Sequence, residues 1–578
     1  MYGLLKYTRS LKKNFPADWK NPLSWIDHSE SMTYMMKGDS RKPASIASYK
    51  IAGDCDGFPR IDISTASGFC VGIVDNGANL LKPRFTIELD NEDLVLSDMG
   101  SWDPLKGKIF YYKKENNLYT KSVLFSAKNI KAEDPRILVT DRPNQLLLGP
   151  DKLVYIGTPT AILRFNPKAQ SILSSLEIVI SNLPANGLHA LKAMTFNNKK
   201  QLFVNVGSVT NVCEKFGVFG QKMKSCPESE DLVAGQGQIR MYQMQENGTF
   251  SKNFKVFAKG TRNSMALLFD AQSETLLQAE NGRDSIDKHS KSLADDDFPH
   301  EEINIISEGK HYGWPYCFDD NKNNPEWINV ICKNYTAPYL MLPPHAAPLS
   351  MLKHSGLNFP AWYKNRLIMG LHGYAQFGHR IVTYLRDETG QPTGVPLSLV
   401  YDWKTEENKP GTPVGLFEMK DGSILITEDN NKKVLRLFYN ETEGDGKAVR
   451  EIDGVNEEGK TDNDEENRKL KLQEVMRNPS SAPAFAKFQA KIIDNHCISC
   501  HGNEAAPGIQ LKKYDYLGNE KKLLELNKEN ELLGRISANP GYRTMPPAGF
   551  VTQAEQDEAI ALVKAWIIER QGNKVQKK

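Results

Sequence analysis

Met194-Thr195-Phe196-Asn197-Asn198-Lys199-Lys200-Gln201-Leu202-Phe203-Val204 sets two short apolar runs on either side of a polar turn. Runs this short, closed by Asn and Lys, read as two strands joined by a tight connection rather than as a helix. The plan recurs. Leu146 to Ile156 repeats it around Gly149-Pro150-Asp151-Lys152, and Leu416 to Ile426 repeats it around Lys420-Asp421-Gly422. Leu94-Val95-Leu96-Ser97-Asp98 and Leu267-Leu268-Phe269-Asp270 are single runs of the same kind. They stand roughly 45 to 75 residues apart between Gly68 and Tyr439, with irregular insertions. This spacing predicts an all-β domain over residues 51–440, a six-bladed β-propeller. A β-sandwich is the alternative that periodicity leaves open.

On either side the composition changes. Residues 1–50 are polar and irregular and carry no assigned chemistry. Residues 441–480 crowd Glu441, Glu443, Asp445, Glu457, Glu458, Asp462, Asp464, Glu465 and Glu466 among Lys and Asn, and read as a solvated, charged linker. From 481 to 578 the pattern turns helical. Phe485 to Ile493 is apolar-periodic, and Thr552 with Glu555 forms a capping box for a last helix whose one face carries Ala559, Leu562, Val563 and Trp566.

Between those helices lies Asn495-His496-Cys497-Ile498-Ser499-Cys500-His501. Two thiols with two residues between them, followed at once by an imidazole, have the spacing of a c-type haem attachment. A structural zinc site or a redox dithiol is the other use of such a pair. Zinc would need a second ligand pair, yet no cysteine follows and His501 is the last histidine. Met545 stands on the stiff stretch Arg543-Thr544-Met545-Pro546-Pro547-Ala548-Gly549; a core side chain is the alternative reading, but a core methionine more often sits inside a helix and this one precedes two prolines. Residues 483 to about 570 thus resemble the cytochrome c family. The resemblance implies a small all-α domain over 481–578 holding one haem c, with thioethers to Cys497 and Cys500 and with His501 and Met545 as iron ligands.

Haem is attached to this motif outside the bacterial cytoplasm, so a periplasmic location is expected. The remaining cysteines agree: Cys55, Cys70, Cys213, Cys226, Cys317 and Cys332 fall as three neighbouring pairs, read as three local disulfides or, alternatively, as six buried thiols. The N-terminus shows no continuous apolar core of a signal peptide. A formal charge of +2 provides no field that would argue for nucleic acid or an anionic membrane, and no run of 18 apolar residues predicts a transmembrane span.

Four stretches of the β region go beyond periodicity. They are Gly187-Leu188-His189; Gly260-Thr261-Arg262-Asn263-Ser264; Ala279-Glu280-Asn281-Gly282-Arg283-Asp284, followed by Glu301-Glu302-Ile303-Asn304 and Tyr312-Gly313-Trp314-Pro315; and Leu371-His372-Gly373. In this order, from about Asn144 to Tyr439, they resemble the soluble glucose and sorbosone dehydrogenases. Those are six-bladed propellers that bind pyrroloquinoline quinone (PQQ) and often calcium. The resemblance implies His189 as catalytic base, Arg262 as a fixed cation over the quinone, and Asn263 as a partner of a quinone carbonyl. It implies main-chain calcium ligands at Gly282 and Arg283, and a second calcium site at Glu302 and Tyr312. His372 stands where some members have a lysine that meets the quinone. An arginine for the cofactor's carboxylates is replaced by Thr412, with Lys409 three residues earlier, and Leu188 replaces an acidic residue before the histidine. Lys409, Arg380 and Lys192 are the candidate cations for those carboxylates.

Together these readings predict a periplasmic quinohaemoprotein dehydrogenase. It would oxidise a sugar, or a related alcohol or aldehyde, through PQQ, and pass electrons by the tethered haem to a downstream cytochrome or quinone acceptor. A propeller that lacks PQQ and serves as a scaffold beside a haem electron-transfer domain is the alternative. A haem peroxidase fits less well, because one C-x-x-C-H with a Met545 ligand leaves neither a second haem nor an open distal site.

Overall fold

The computed structural model describes residues 48–440 except 67, 117, 215–224, 291–292, 296–297, 361–362, 374–377 and 388. Beyond them it describes Phe485, Phe488, Ile492, Ile493, Glu520, Leu523, Leu532, Leu533, Ile536 and Gln553–Val575. The chain divides into two compact units, the first built on Gly68–Val382 and the second ending in the helix Gln553–Val575.

The run Met194 to Val204 forms the hairpin its pattern predicts: Thr195 faces Phe203 across strands Met194–Phe196 and Gln201–Val206. Asn197 makes the turn. Its side-chain oxygen accepts the Lys199 and Gln201 amides at 3.0 and 2.9 Å while Lys200 takes the left-handed conformation (φ 56°). Met194, Leu202 and Val204 then point into the core.

Each such hairpin is the inner half of four antiparallel strands that make a blade, three of the blade sheets adding edge strands, and six blades make a β-propeller. Blade 1 spans strands Pro83–Glu88 to Leu118–Phe125, and blade 2 spans Leu146–Leu148 to Glu177–Ile180. Blade 3 runs from Met194–Phe196 to Lys255–Lys259, blade 4 from Ala266–Asp270 to Leu340–Pro344, and blade 5 from Pro348–Lys353 to Pro392–Tyr401. Blade 6 joins the ends of the domain: Pro413–Glu418, Ile424–Glu428 and Lys433–Tyr439 are completed by Phe69–Asp75, with Leu437 opposite Val71 and Tyr439 opposite Phe69. Pairing the first strand with the last removes the open edges that a linear array would expose. All six innermost strands line a central cavity of about 140 Å³, walled by side chains such as Phe85, Leu146, Met194, Leu267, Met351 and Leu416. Six blades around one cavity exclude the sandwich.

The six cysteines pair as expected: Cys55–Cys70, Cys213–Cys226 and Cys317–Cys332, at sequence separations of 15, 13 and 15. Closing loops of that length contributes about 3 kcal/mol each in the chain-entropy account. The last two pack with Trp314, Tyr316 and Trp327 into a small apolar cluster beside blades 3 and 4.

In the second unit, Ala559, Val563 and Trp566 lie on one face of the helix Gln553–Val575 and pack with Phe485, Phe488, Ile492, Leu523 and Ile536. The Trp566 indole donates to Glu520 at 2.6 Å. This is the helix and the face expected from the periodicity. Cys497, Cys500, His501 and Met545 lie outside the described residues. Among the described residues, no helix is long and apolar enough to cross a membrane.

Candidate active-site face of the propeller

In an up-and-down blade, the loop entering the first strand and the loop between the second and third strands open at the same end. That rule gathers residues far apart in sequence onto one face. Asn144 precedes blade 2, His189 and Lys192 precede blade 3, Arg262 and Asn263 precede blade 4, and Thr412 precedes blade 6. The second-to-third-strand loops of blades 3, 4, 5 and 6 bring Asn211, Asn281 to Asp284, His372 and Asp429. Arg84 sits at the start of blade 1.

Gly187, at φ 89°, lets the loop before blade 3 pass against the Val209 backbone, and His189 follows it, buried. His189 Nδ1 lies 3.0 Å from the Ser208 carbonyl and 2.9 Å from its hydroxyl. That hydroxyl gives its own hydrogen to the Thr210 carbonyl at 2.7 Å. Both neighbours of Nδ1 are therefore acceptors, Nδ1 carries the proton, and Nε2 is left as the lone-pair nitrogen. Burial, then the Arg262 charge, push the imidazole well below its ordinary value. His189 is neutral at pH 7.

Arg262 is held at every donor. Nε donates to Asn211 O (3.2 Å), Nη1 to Asn281 O (3.1 Å) and Gly282 O (2.6 Å), and Nη2 to Asn211 Oδ1 (2.9 Å) and Asp284 Oδ2 (2.8 Å). Its main chain ties back as well: Ser208 N donates to Arg262 O at 2.7 Å, joining it to His189's anchor. Glu280 receives the Arg262 and Asn263 amides, and burial pushes its carboxyl up to about 7. The Asn263 side-chain oxygen is buried with no hydrogen-bond partner.

The proposed calcium positions divide. Gly282 O already takes the Arg262 guanidinium, and Arg283 turns its side chain away to Glu326 at 2.6 Å, so a cation beside Gly282 would compete with an arginine. Glu302 lies deeper. It lines a cavity of about 30 Å³ with Glu280, Asn304, Tyr312, Arg262 and Trp314. Burial pushes the Glu302 carboxyl well above its ordinary value, Asn304 Nδ2 donates to it at 3.1 Å, and Asn304 Oδ1 is left without a partner. Among the described residues no group of three or more carboxylate, histidine or cysteine side chains is gathered to hold a metal ion. The Tyr312 hydroxyl is spent elsewhere, donating to Ile305 O at 2.7 Å and accepting from Ser307 N at 2.8 Å.

His372 Nε2 meets Asp429 Oδ1 at 3.0 Å. Asp429 Oδ2 pairs with Arg84 Nη1 at 2.9 Å, and Arg84 Nε donates to Asn144 Oδ1 at 2.9 Å. Asn144 Nδ2 continues to the Lys192 carbonyl at 3.0 Å. Arg84, Asp429, Asn144, Asn211 and Ser208 carried no readable signal in the chain: Arg84 and Asp429 are 345 positions apart. Thr412 offers no charge; its hydroxyl accepts from Asn430 N at 3.2 Å. Lys409 lies half-buried on the turn closed by Lys404 and Pro410, next to Glu407, and no described contact joins it to His189, Arg262 or His372.

Lys192 is not available as a cofactor cation. It is fully buried, and its amine donates to Pro184 O at 2.8 Å and Ala190 O at 2.7 Å, bracing the loop that carries His189. Burial, then Arg240 and Arg142, push this amine from 10.5 down to about 7. Between those values the unfolded chain binds more protons than the folded one, so stability rises with pH across that window. Lys192→Met is expected to lose this slope. In urea unfolding at pH 7 and pH 10, the wild type should gain on the order of a few kcal/mol relative to the variant. Equal responses would contradict the assignment.

Fold and face together define a disulfide-stapled, six-bladed propeller protein with a buried cation and two histidines at one mouth. Residues 64–483 match the TrAA12-like family, and the chain belongs to it. An uncharacterized protein of Borreliella burgdorferi is 30% identical over 274 residues, which are 45% of this chain and 64% of that protein. Among solved structures, the iodide structure of the Trichoderma reesei Carbohydrate-Active Enzymes Family AA12 protein superposes with a TM-score of 0.52. It is 16% identical, over 67% of this chain and 100% of that one. Its calcium structure gives a TM-score of 0.51 at 16% identity, over 67% and 99%. At such identity the likeness is one of fold.

Proposed function

We propose that this protein is an exported, PQQ-dependent sugar oxidoreductase that hands its electrons to a covalently bound haem c. The observation that carries the reading is His189. It is a buried, neutral imidazole whose Nδ1 is locked by two acceptors, so that Nε2 is presented as a base, and the fixed charge of Arg262 lies in its electrostatic reach. The Trichoderma reesei protein of similar fold is a Carbohydrate-Active Enzymes Family AA12 protein, which supports a sugar as substrate.

The unpartnered Asn263 side-chain oxygen and His372 are the groups that would contact PQQ, with Arg262 beside them as a fixed charge whose donors are spent on the protein; PQQ when bound supplies a two-electron acceptor for a substrate hydride. His189 Nε2 takes the hydroxyl proton of the sugar. Arg262, immobilised by five hydrogen bonds, stabilises negative charge without reorganising. Calcium at the Gly282 carbonyl would have to displace the Arg262 guanidinium; a calcium structure exists for the Trichoderma reesei protein, which supports testing that ion. Haem at Cys497, Cys500, His501 and Met545 would be the one-electron outlet to a downstream acceptor, and its attachment chemistry supports export to the periplasm. The three disulfides are consistent with an oxidising compartment.

The test is a reduction assay on the full chain. PQQ, calcium and a panel of aldoses are added and the haem band is followed. Sugar- and PQQ-dependent growth of the reduced haem band is the expected result. A haem reduced by dithionite but by no sugar, with no PQQ retained, would favour the scaffold reading. The uncharged Thr412 is the observation on that side.

A further inference from the structure

The second-to-third-strand loop of blade 1, residues 99–107, opens on the same face as His189, Arg262 and His372. It is held as a rigid shelf. The Asp98 carboxylate accepts the amides of Leu81 (2.7 Å), Lys82 (2.9 Å) and Gly100 (2.8 Å), which ties the loop to the entry of its own blade. Gly100 is left-handed, at φ 77°, and a Cβ there would strike the Lys106 carbonyl, so the two ends of the loop lie against each other. The Gly107 amide donates to Thr140 O at 3.0 Å and anchors the shelf to the connection that leads to blade 2.

Trp102 stands on this shelf. It packs on the buried side chains of Met99, Leu191 and Met265, with Leu349 in the same cluster. Leu191 is two residues past His189, and Met265 is three past Arg262. Met265 and Leu349 also line the central cavity, so the cluster closes that cavity beneath the mouth and Trp102 is the part of it supplied by blade 1. The other described tryptophans, Trp314, Trp327, Trp403 and Trp566, are buried, none more than 7% exposed. Trp102 alone among them is half-buried, and no described residue accepts from its indole N–H. A large ring kept partly open, with its one donor unused, beside fixed polar groups, has the form of a ligand platform rather than of core.

We propose that Trp102 is a binding and specificity residue of this site, the platform on which a pyranose ring lies by its C–H face. The choice of a sugar rests on the oxidoreductase reading above, whereas the platform rests on the packing of the shelf. A pyranose with mostly equatorial hydroxyls has an apolar face of C–H groups and a polar rim. The negative π face of an indole attracts such C–H groups, and its broad surface removes them from water. The rim hydroxyls are then left to polar groups of the same face, among them His189 Nε2 and the Asn263 side-chain oxygen. An acyclic polyol has the hydroxyls without the face, so the platform selects rings over open chains.

The experiment uses the full chain as wild type, Trp102→Phe and Trp102→Ala, with D-glucose and D-xylose as ring sugars and sorbitol as the open-chain control. With no cofactor added, each aldose should change the indole emission of the wild type saturably. That change should be absent from both variants, and sorbitol should produce none. Chains loaded with PQQ and calcium then give the kinetic split. Trp102→Ala is expected to raise the aldose KM about tenfold with kcat within about threefold, and Trp102→Phe, which keeps a ring, to raise it about threefold. A purely structural role would instead lower the sheet signal in circular dichroism and the kcat together. Trp102→Phe keeps a ring against Met99 and Leu191 and decides the matter should Trp102→Ala fail to fold. Wild-type emission indifferent to both aldoses, or an emission change that persists in Trp102→Phe, would overturn the platform, as would an unaltered KM in Trp102→Ala. A Trp102-dependent emission change in a chain that oxidises no aldose would keep the platform and remove the oxidoreductase reading.

Discussion

On the dehydrogenase reading proposed above, His189→Ala is expected to lower sugar-dependent turnover by about 10²–10⁴-fold while the circular dichroism of the β-sheets and the spectrum of the proposed haem stay unchanged. The size follows from what the imidazole does. Without a base at Nε2 the substrate hydroxyl must lose its proton to water, which the buried face restricts. The fold should tolerate the change, because His189 sits in the loop before blade 3, and what it leaves behind, the Ser208 carbonyl and hydroxyl, keeps other partners near: the hydroxyl still donates to Thr210 O. A variant with wild-type turnover would remove His189 from the mechanism. One that loses turnover together with its sheet signal would show a structural role instead.

Arg84→Ala should be the most destabilising single change on this face, by about 3–5 kcal/mol in equilibrium unfolding. Arg84 and Asp429 are both buried, with side chains 7% exposed each, and pair at 2.9 Å. Removing the guanidinium leaves the carboxylate in a medium that solvates it poorly, with the His372 imidazole as its remaining side-chain hydrogen-bond partner. It also strands Asn144 Oδ1 and so cuts the link from blade 6 through blade 1 to blade 2. A surface ion pair offers a control: Lys50→Ala, which releases Asp62 at an exposed site, should cost no more than about 1 kcal/mol. If the two variants unfold at the same denaturant concentration, the Arg84 pair carries no special weight.

Much of the architecture was legible in the chain because it is written in local patterns. Strand–turn–strand runs such as Met194 to Val204 depend on side chains two residues apart and on a turn residue such as Asn197, so they can be recognised before anything is known of their neighbours. The paired spacing of the cysteines and the apolar face of the last helix are local in the same sense. His189, Arg262, Asn263 and His372 were found through short ordered stretches, and the propeller brings all four to one face. Lys192 was misread. Its charge suggested a partner for an anionic ligand, whereas its amine is buried on the Pro184 and Ala190 carbonyls.

By itself, the sequence determined the β-repeat, the paired spacing of the six cysteines and the C-terminal helix, since each depends on residues close together in the chain. Tertiary structure alone decided how these elements meet. Blade closure puts Phe69–Asp75 beside Lys433–Tyr439, and the same circular arrangement sets Arg84 against Asp429 and Asp429 against His372. Such contacts join residues hundreds of positions apart, and no periodicity encodes them. They form because a buried charge must find a counter-charge once the ring of blades has excluded water.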